Sequence, residues 1–378
     1  MRDQIDSWVN QQKDSIYKMY QYLHQHAEIS WKEVKTTKFI ANELGKLSIP
    51  SETFQDQTGV VGVWGNGNGP VIGLRSDMDA LWQNVNGEWK ANHSCGHDAH
   101  MTILLFTLKC LKELEIEPNG IIKSFFQPAE ETGGGAISFI NKGLIDDVDY
   151  LLGLHVRPIQ EMRYGSCSPA IYHGAASILK GKIYGIQAHA ARHHLGVNVI
   201  DSLTAINLAI RSIPLNPIVP ASVKMTFAQA GGKNYNIIPD YAEFGMDVRA
   251  QTNEEMESLL KKLEKSIKLA AEANGATVEL ELLSEMPAAK PNKFMETVVS
   301  KSIMEILGDK GLVKPPITPG GEDFHFYPRS NSHIQTTMIG LGTDLEPGLH
   351  HPNMNFKMES LLNGIKIMAL STVKLMEK

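Results

Sequence analysis

Cys95-Gly96-His97-Asp98 places a thiol and an imidazole two positions apart, with a glycine between them that permits the tight turn needed to aim both at one borderline metal ion. Taken alone, the same four residues also read as a buried cysteine beside a histidine that opens a helix. Glu130-Glu131 closes a run of Phe125-Phe126-Gln127-Pro128, so two adjacent carboxylates emerge from an apolar strand and project in different directions. One of them could face a metal and the other the water next to it. The plainer reading is a solvated acidic turn before Gly133. His155 ends Leu151-Leu152-Gly153-Leu154, and His350 lies in Gly348-Leu349-His350-His351-Pro352. A satisfied core histidine and a surface-loop histidine are the ordinary readings of these two. Together the set supplies one thiolate, one carboxylate and three imidazoles, an inventory that suits one or two zinc-like ions.

The elements that must position these residues follow from periodicity. Ile5, Trp8 and Val9, then Ile16, Met19, Tyr20 and Leu23, recur at helical spacing, and a helix is predicted from about Trp31 to Leu47. Val60–Trp64 and Pro70–Leu74 read as two neighbouring strands across the turn signal Gly-Asn-Gly-Asn-Gly. A helix follows His97, strands are predicted at Ile121–Phe126 and Tyr150–Leu154, and a helix after Gly135. Alternating strands and helices imply an α/β sheet, whose ligands bind at strand ends. The middle of the chain differs. Strands at Ala175–Gly185, Val219–Ala230, Tyr241–Ala250 and Thr277–Leu283, with helices carrying Leu203, Ile206 and Ile210 and then Met256, Leu259, Leu263 and Ile267, give a β-α-β-β-α-β order. Thr252-Asn253-Glu254-Glu255 is a capping box for the second helix. The α/β pattern resumes after about Ala288, so this segment reads as an insertion.

The 378 residues, 42% hydrophobic and 21% charged, suffice for cores without disulfides, and the three cysteines form no paired framework. A net charge of −6 argues against a nucleic-acid partner. No apolar run is long enough to cross a bilayer and the first residues lack a secretory apolar centre, so a cytoplasmic location and no membrane partner are expected.

Seven ordered stretches resemble the M20 metallopeptidase family, in its amidohydrolase branch of hippurate hydrolases, indole-acetyl-amino-acid hydrolases and N-acyl-amino-acid deacylases, bacillus-type members among them. They are Leu74-Arg75-Ser76-Asp77-Met78-Asp79-Ala80-Leu81, Cys95-Gly96-His97-Asp98-Ala99-His100, Phe126-Gln127-Pro128-Ala129-Glu130-Glu131, Gly153-Leu154-His155-Val156, Asn236-Ile237-Ile238-Pro239-Asp240, Gly321-Glu322-Asp323-Phe324 and Leu349-His350-His351-Pro352. The resemblance implies a phosphorylase/hydrolase-like mixed sheet with helices on both faces, of the zinc-exopeptidase type, in residues 1–174 and 288–378. Residues 175–287 would form a ferredoxin-like lid that also carries a homodimer contact. It implies two divalent ions per subunit, Zn²⁺ or Mn²⁺ with Co²⁺ or Ni²⁺ as alternatives, held by Cys95, His97, Glu131, His155 and His350. Glu130 would be the general base, Asp79 an acidic residue that orients a ligand, and His189 the histidine brought to the substrate carbonyl. Asn236 and Arg249 would hold the substrate carboxylate.

The expected activity is metal-dependent hydrolysis of an amide bond in an N-acyl amino acid or related small amide. A dipeptidase or aminopeptidase of the same fold, a cysteine-nucleophile amidase and a non-catalytic binding protein are the alternatives. Several residues depart from the family pattern: Trp82-Gln83 stands in place of a proline, Ile186-Gln187-Ala188-His189 in place of Gly-Gly-His, Ala190-Ala191-Arg192-His193-His194 lacks methionine-proline, and His351 replaces asparagine. None removes a ligand, and all bear on substrate choice.

Overall fold

A computed structural model describes residues 1–65 and 67–378. The chain divides into two compact units: residues 1–172, 290–317 and 323–378 form the first, residues 173–289 and 318–322 the second.

The first unit is built on a seven-stranded mixed sheet. Its strand order is Ser51–Thr53, Val60–Gly65, Ile121–Gln127, Val71–Asp77, Tyr150–Pro158, Gln335–Leu345 and Cys167–Ser168. The four central strands are parallel and the flanking pairings antiparallel. Strand residues alternate between two cores. Ile122, Phe126, Leu152 and Ile339 pack on one face, Phe125, Leu151 and Met338 on the other. That is the two-sided burial expected of parallel strands with helices over both faces. Helix His97–Glu113 is buried almost all round, as a helix without a polar face must be, and packs against Ser360–Met376. On the other face Phe139, from helix Gly135–Asn141, joins Tyr327.

Three details differ from the sequence expectations. The N-terminal stripe is divided at Gln12 into helices Arg2–Gln11 and Lys13–Gln25. The strands at Val60–Gly65 and Val71–Asp77 are not neighbours, because Ile121–Gln127 lies between them and pairs with both. Val71–Asp77 is buried along nearly its whole length, so it needs a partner and a covering layer on each side, which a hairpin with Val60–Gly65 would not supply. The turn signal between them includes Asn66, which lies outside the described residues. The third detail is an antiparallel hairpin, Leu81–Val85 with Glu88–Asn92, which turns at Asn86-Gly87, both at positive φ.

The second unit has a four-stranded antiparallel sheet ordered Ala221–Ala230, Tyr241–Ala250, Ala175–Tyr184 and Thr277–Met286. Helices Val199–Arg211 and Asn253–Ala273 pack on each other and on the sheet. Numbered along the chain, the strands lie in the order 2-3-1-4, the split β-α-β arrangement expected from the element order. The long helix starts at Thr252, whose Oγ1 accepts the Glu255 N–H at 3.2 Å. Its apolar stripe, Met256, Leu259, Leu263 and Ile267, forms the core with Phe244 and Val248.

Candidate metal centre

The ends of the parallel strands carry the polar residues of the first unit. Just beyond strand Val71–Asp77, Asp79 is buried, and its carboxylate accepts three hydrogen bonds and lies close to a fourth polar group. These are Ser30 Oγ at 2.6 Å, the backbone N–H groups of Glu130 and Glu131 at 3.1 Å each, and His97 Nδ1 at 3.3 Å. Burial pushes this carboxyl up, and the bonds from His97 and Ser30 overcome that and hold it below the usual range. Asp79 therefore ties the turn bearing the two glutamates to His97. The turn itself is a short 3₁₀ segment, Glu130–Thr132, entered through Ala129 at φ 53°. The strained entry is held by the buried Glu33, whose Oε1 accepts the Ala129 N–H at 2.9 Å. Sequence reasoning passed over Ser30 and Glu33, whose side chains reach Asp79, and Thr58 and Ala129, across long stretches of chain.

Gly96 sits at φ 89° between Cys95 and His97, and a Cβ there would come within 2.4 Å of a Val156 methyl carbon. Only glycine makes this turn, which delivers Cys95 and then starts the buried helix at His97. The His97 Nδ1–H donates to the Asp79 carbonyl at 2.8 Å, so in the neutral ring the lone pair is on Nε2. His155 is fixed in the same way, with Nδ1–H donating to the Val156 carbonyl at 2.7 Å, and its Nε2 lies 3.6 Å from Cys95 Sγ. Such outward anchoring sets the tautomer of a ligating histidine. Burial, reinforced by neighbouring His100 and Arg157, pushes the His155 pKa well down, so the ring stays neutral as a ligand must be.

Two overlapping groups emerge. Ligand atoms of Cys95, His97 and His155 lie within 4.8 Å of one another, and so do those of Cys95, Glu131 and His350. His97 Nε2 is 3.9 Å from both Glu130 Oε2 and Glu131 Oε1, and His350 Nε2 is 3.4 Å from Glu131 Oε2. His350 is presented at φ 63°, its N–H donating to the Ser94 carbonyl at 2.7 Å and its carbonyl accepting from Gln83 Nε2 at 2.8 Å. Gln83 belongs to the unforeseen hairpin and also accepts from Ser94 Oγ and Asn92 Nδ2. Two atoms at the centre, His97 Nε2 and Glu131 Oε1, are buried with no hydrogen-bond partner. Orphaned buried acceptors beside a thiol and further imidazoles fit divalent cations of the zinc type, which would satisfy them at once.

The remaining candidates lie in the second unit. His189 is exposed, at the end of the short strand Ala188–His189, which pairs with Ile237–Ile238. Its Nδ1 accepts the Ala191 N–H at 3.1 Å, so in the neutral ring the proton is on Nε2. Asn236 is exposed and its carbonyl accepts the Ala190 N–H at 2.8 Å, which sets it beside the His189 loop. Arg249 is different. Its Nε and one terminal nitrogen pair with Asp247 at 2.7 to 3.1 Å, and the other terminal nitrogen reaches the Pro319 carbonyl at 3.4 Å.

The family model for peptidase family M20/M25/M40 matches residues 73–373. An IAA-amino acid hydrolase, ILR1-like 4, of Arabidopsis thaliana is 32% identical over 81% of this chain and 72% of its own. The N-acetyl-L-cysteine deacetylase of Bacillus subtilis is 28% identical over 94% and 87%. The hippurate hydrolase of Campylobacter jejuni is 31% identical over 82% and 84%. Among solved structures, the Bacillus subtilis YXEP protein, described as a dinuclear metal-binding peptidase of the M20 family, superposes with a TM-score of 0.83 at 26% identity, covering 97% of this chain and 98% of that one.

Proposed function

The chain belongs to peptidase family M20/M25/M40, and on that premise we propose that it hydrolyses the amide bond of an N-acyl amino acid or a related small amide with the help of two divalent cations. Cys95, His97, Glu131, His155 and His350 would hold the ions, Zn²⁺ or Mn²⁺, of which Zn²⁺ is the better match to a donor set of one thiolate, three imidazoles and a carboxylate. The observation that carries this reading is the pair of overlapping ligand groups with His97 Nε2 and Glu131 Oε1 buried and unpartnered between them.

When bound, the ions would lower the pKa of the attacking water and polarise the amide carbonyl. Glu130 extends from the turn that Asp79 fixes and brings Oε2 to 3.9 Å from His97 Nε2. Its carboxylate takes the proton from the water and returns it to the leaving nitrogen, a shuttle suited to a carboxylate that is only 6% exposed. His189 offers Nε2–H to the carbonyl oxygen as negative charge develops there. Asn236 would bind the substrate carboxylate, and Arg249 could join it only by loosening its pairing with Asp247. Among the described residues no helix is long and apolar enough to cross a membrane. A cytoplasmic location, a lid role for residues 175–287 and a homodimer formed through them complete the proposal.

The test is a panel of N-acyl amino acids assayed with the protein stripped by a chelator and then reconstituted with Mn²⁺ or Zn²⁺. Turnover that disappears on stripping and returns with the ion is the expected result. Turnover that survives the chelator would return the case to a cysteine nucleophile.

A further inference from the structure

Behind the ligands runs a buried polar chain that no step above uses. Asp323 accepts from Arg75 at 2.8 Å, from Gln127 Nε2 at 2.8 Å and from the Ala136 N–H at 2.9 Å. Arg75 donates from Nε to Gln127 Oε1 at 3.0 Å and from a terminal nitrogen to Asp77 Oδ2 at 2.8 Å. The other oxygen of Asp77 accepts His100 Nδ1–H at 2.7 Å. His100 Nε2 in turn accepts the Val156 N–H at 3.0 Å. The Val156 carbonyl is the atom that anchors His155. Arg75, Asp77, His100 and Asp323 are each at most 2% exposed.

The Val156 N–H fixes the roles along this chain. A backbone N–H can only donate, so His100 Nε2 must keep its lone pair and the ring proton must lie on Nδ1, facing Asp77. With both nitrogens engaged, His100 has no lone pair left for an ion, although its ligand atoms lie within 4.8 Å of those of Asp77 and His97. The Val156 side chain is also pressed against Gly96. Val156 is thus gripped by its N–H and its side chain, while its carbonyl holds the His155 ring.

We propose that His100 is a positioning residue for His155: locked as the Nδ1–H tautomer by the Arg75–Asp77 pair, it clamps the Val156 backbone and so fixes the direction of the His155 Nε2 lone pair. The inference rests on His155 being a metal ligand. A histidine ligand's supporting partners commonly contribute about 10- to 100-fold in metal affinity, and here the support passes through one backbone residue.

The experiment compares wild type, His100→Phe and His100→Gln. Glutamine offers one donor and one acceptor on the same amide and can rebuild both bonds, whereas phenylalanine fills the space and makes neither. Zn²⁺ binding is measured by calorimetry from the metal-free proteins, alongside their metal-free melting temperatures. Wild type should bind two ions. His100→Phe should bind one of them about 10- to 100-fold more weakly, and His100→Gln should recover most of that loss. Equal affinities in wild type and His100→Phe would overturn the role of His100, as would a His100→Gln protein as weak as His100→Phe. Failure of wild type to bind two ions would instead overturn the functional reading. Nitrogen-15 NMR of the histidine rings in metal-free wild type keeps the test independent of variant folding. A His100 proton on Nδ1 is expected, and a proton on Nε2 would refute the clamp.

Discussion

The two units hold their polar residues in opposite ways. In the first, Cys95, His97 and His155 are buried and both rings are anchored on Nδ1 to a main-chain carbonyl, while the exposed His350 is the exception, held through its main chain by Ser94 and Gln83. In the second, His189 and Asn236 are exposed and owe their places to main-chain pairing in a small two-stranded ladder. Ligation of an ion demands fixed donors, and burial with satisfied outer contacts supplies them before any ion arrives. Groups that meet a substrate can stay at the surface, where local structure aims them and water keeps them solvated until they are used. The contrast implies that substitutions in the first unit change metal content or chemistry, while substitutions in the second change turnover alone.

The largest expected effect is that of Glu130→Gln, which removes the proton acceptor but no proposed ligand. Its kcat should fall by about 10²- to 10⁴-fold, with metal content by elemental analysis equal to wild type. A parallel loss of metal would place Glu130 among the ligands. Next is Cys95→Ala, which takes a thiolate from both ligand groups. Dialysis against graded Zn²⁺ should show weakened binding at both positions, and full occupancy at the lowest concentration would contradict its role. A somewhat smaller change, on the order of 10²- to 10³-fold in kcat, is expected for His189→Ala, with metal content and melting temperature unchanged because the side chain is exposed. If metal content fell with turnover in this variant, the division between the units would fail.

A separate effect concerns stability in acid. His325, buried in the first unit, has its pKa pushed down to about 3, mainly by burial and further by Arg75. An unfolded histidine takes up a proton near 6.5, while the folded one resists until far lower pH. The unfolded state therefore binds the extra proton as pH falls, and stability drops through the interval from about 6.5 to about 3. Melting temperature followed over that range should fall less steeply in His325→Gln than in wild type. Equal slopes would mean that other groups carry the acid response.

Much of the fold was legible because it rests on periodicity. The strands and helices of the second unit, including the stripe Met256, Leu259, Leu263 and Ile267, stand where the apolar spacing puts them. Adjacency was less legible. Nothing in the apolar run Val60–Trp64 tells that Ile121–Gln127 will come between it and Val71–Asp77, since pairing across nearly sixty residues is decided by burial of the whole layer. The hairpin that brings Gln83 to His350 carried a turn signal in Asn86-Gly87, both at positive φ, which sequence reasoning passed over because the exposed Trp82 and Trp89 break the apolar alternation of the flanking residues.

At the site, residue types and motif spacing singled out thiol, imidazole and carboxylate groups that the structure brings within reach of one another. What spacing could not express was which atom of each ring is anchored. His97 and His155 use Nδ1 for main-chain carbonyls, and that follows from three-dimensional contacts alone. His100 and Asp77 sit inside quoted motifs, yet their bonds to each other and to Val156 carry no sequence signature.

The most direct test of the account is an anomalous-scattering map from crystals grown with Zn²⁺, recorded at the zinc absorption edge. Two peaks are predicted, each touching Cys95 or Glu131 and together reaching His97, His155 and His350. A map with no peak among these five side chains, from protein that turns over an N-acyl amino acid, would contradict it.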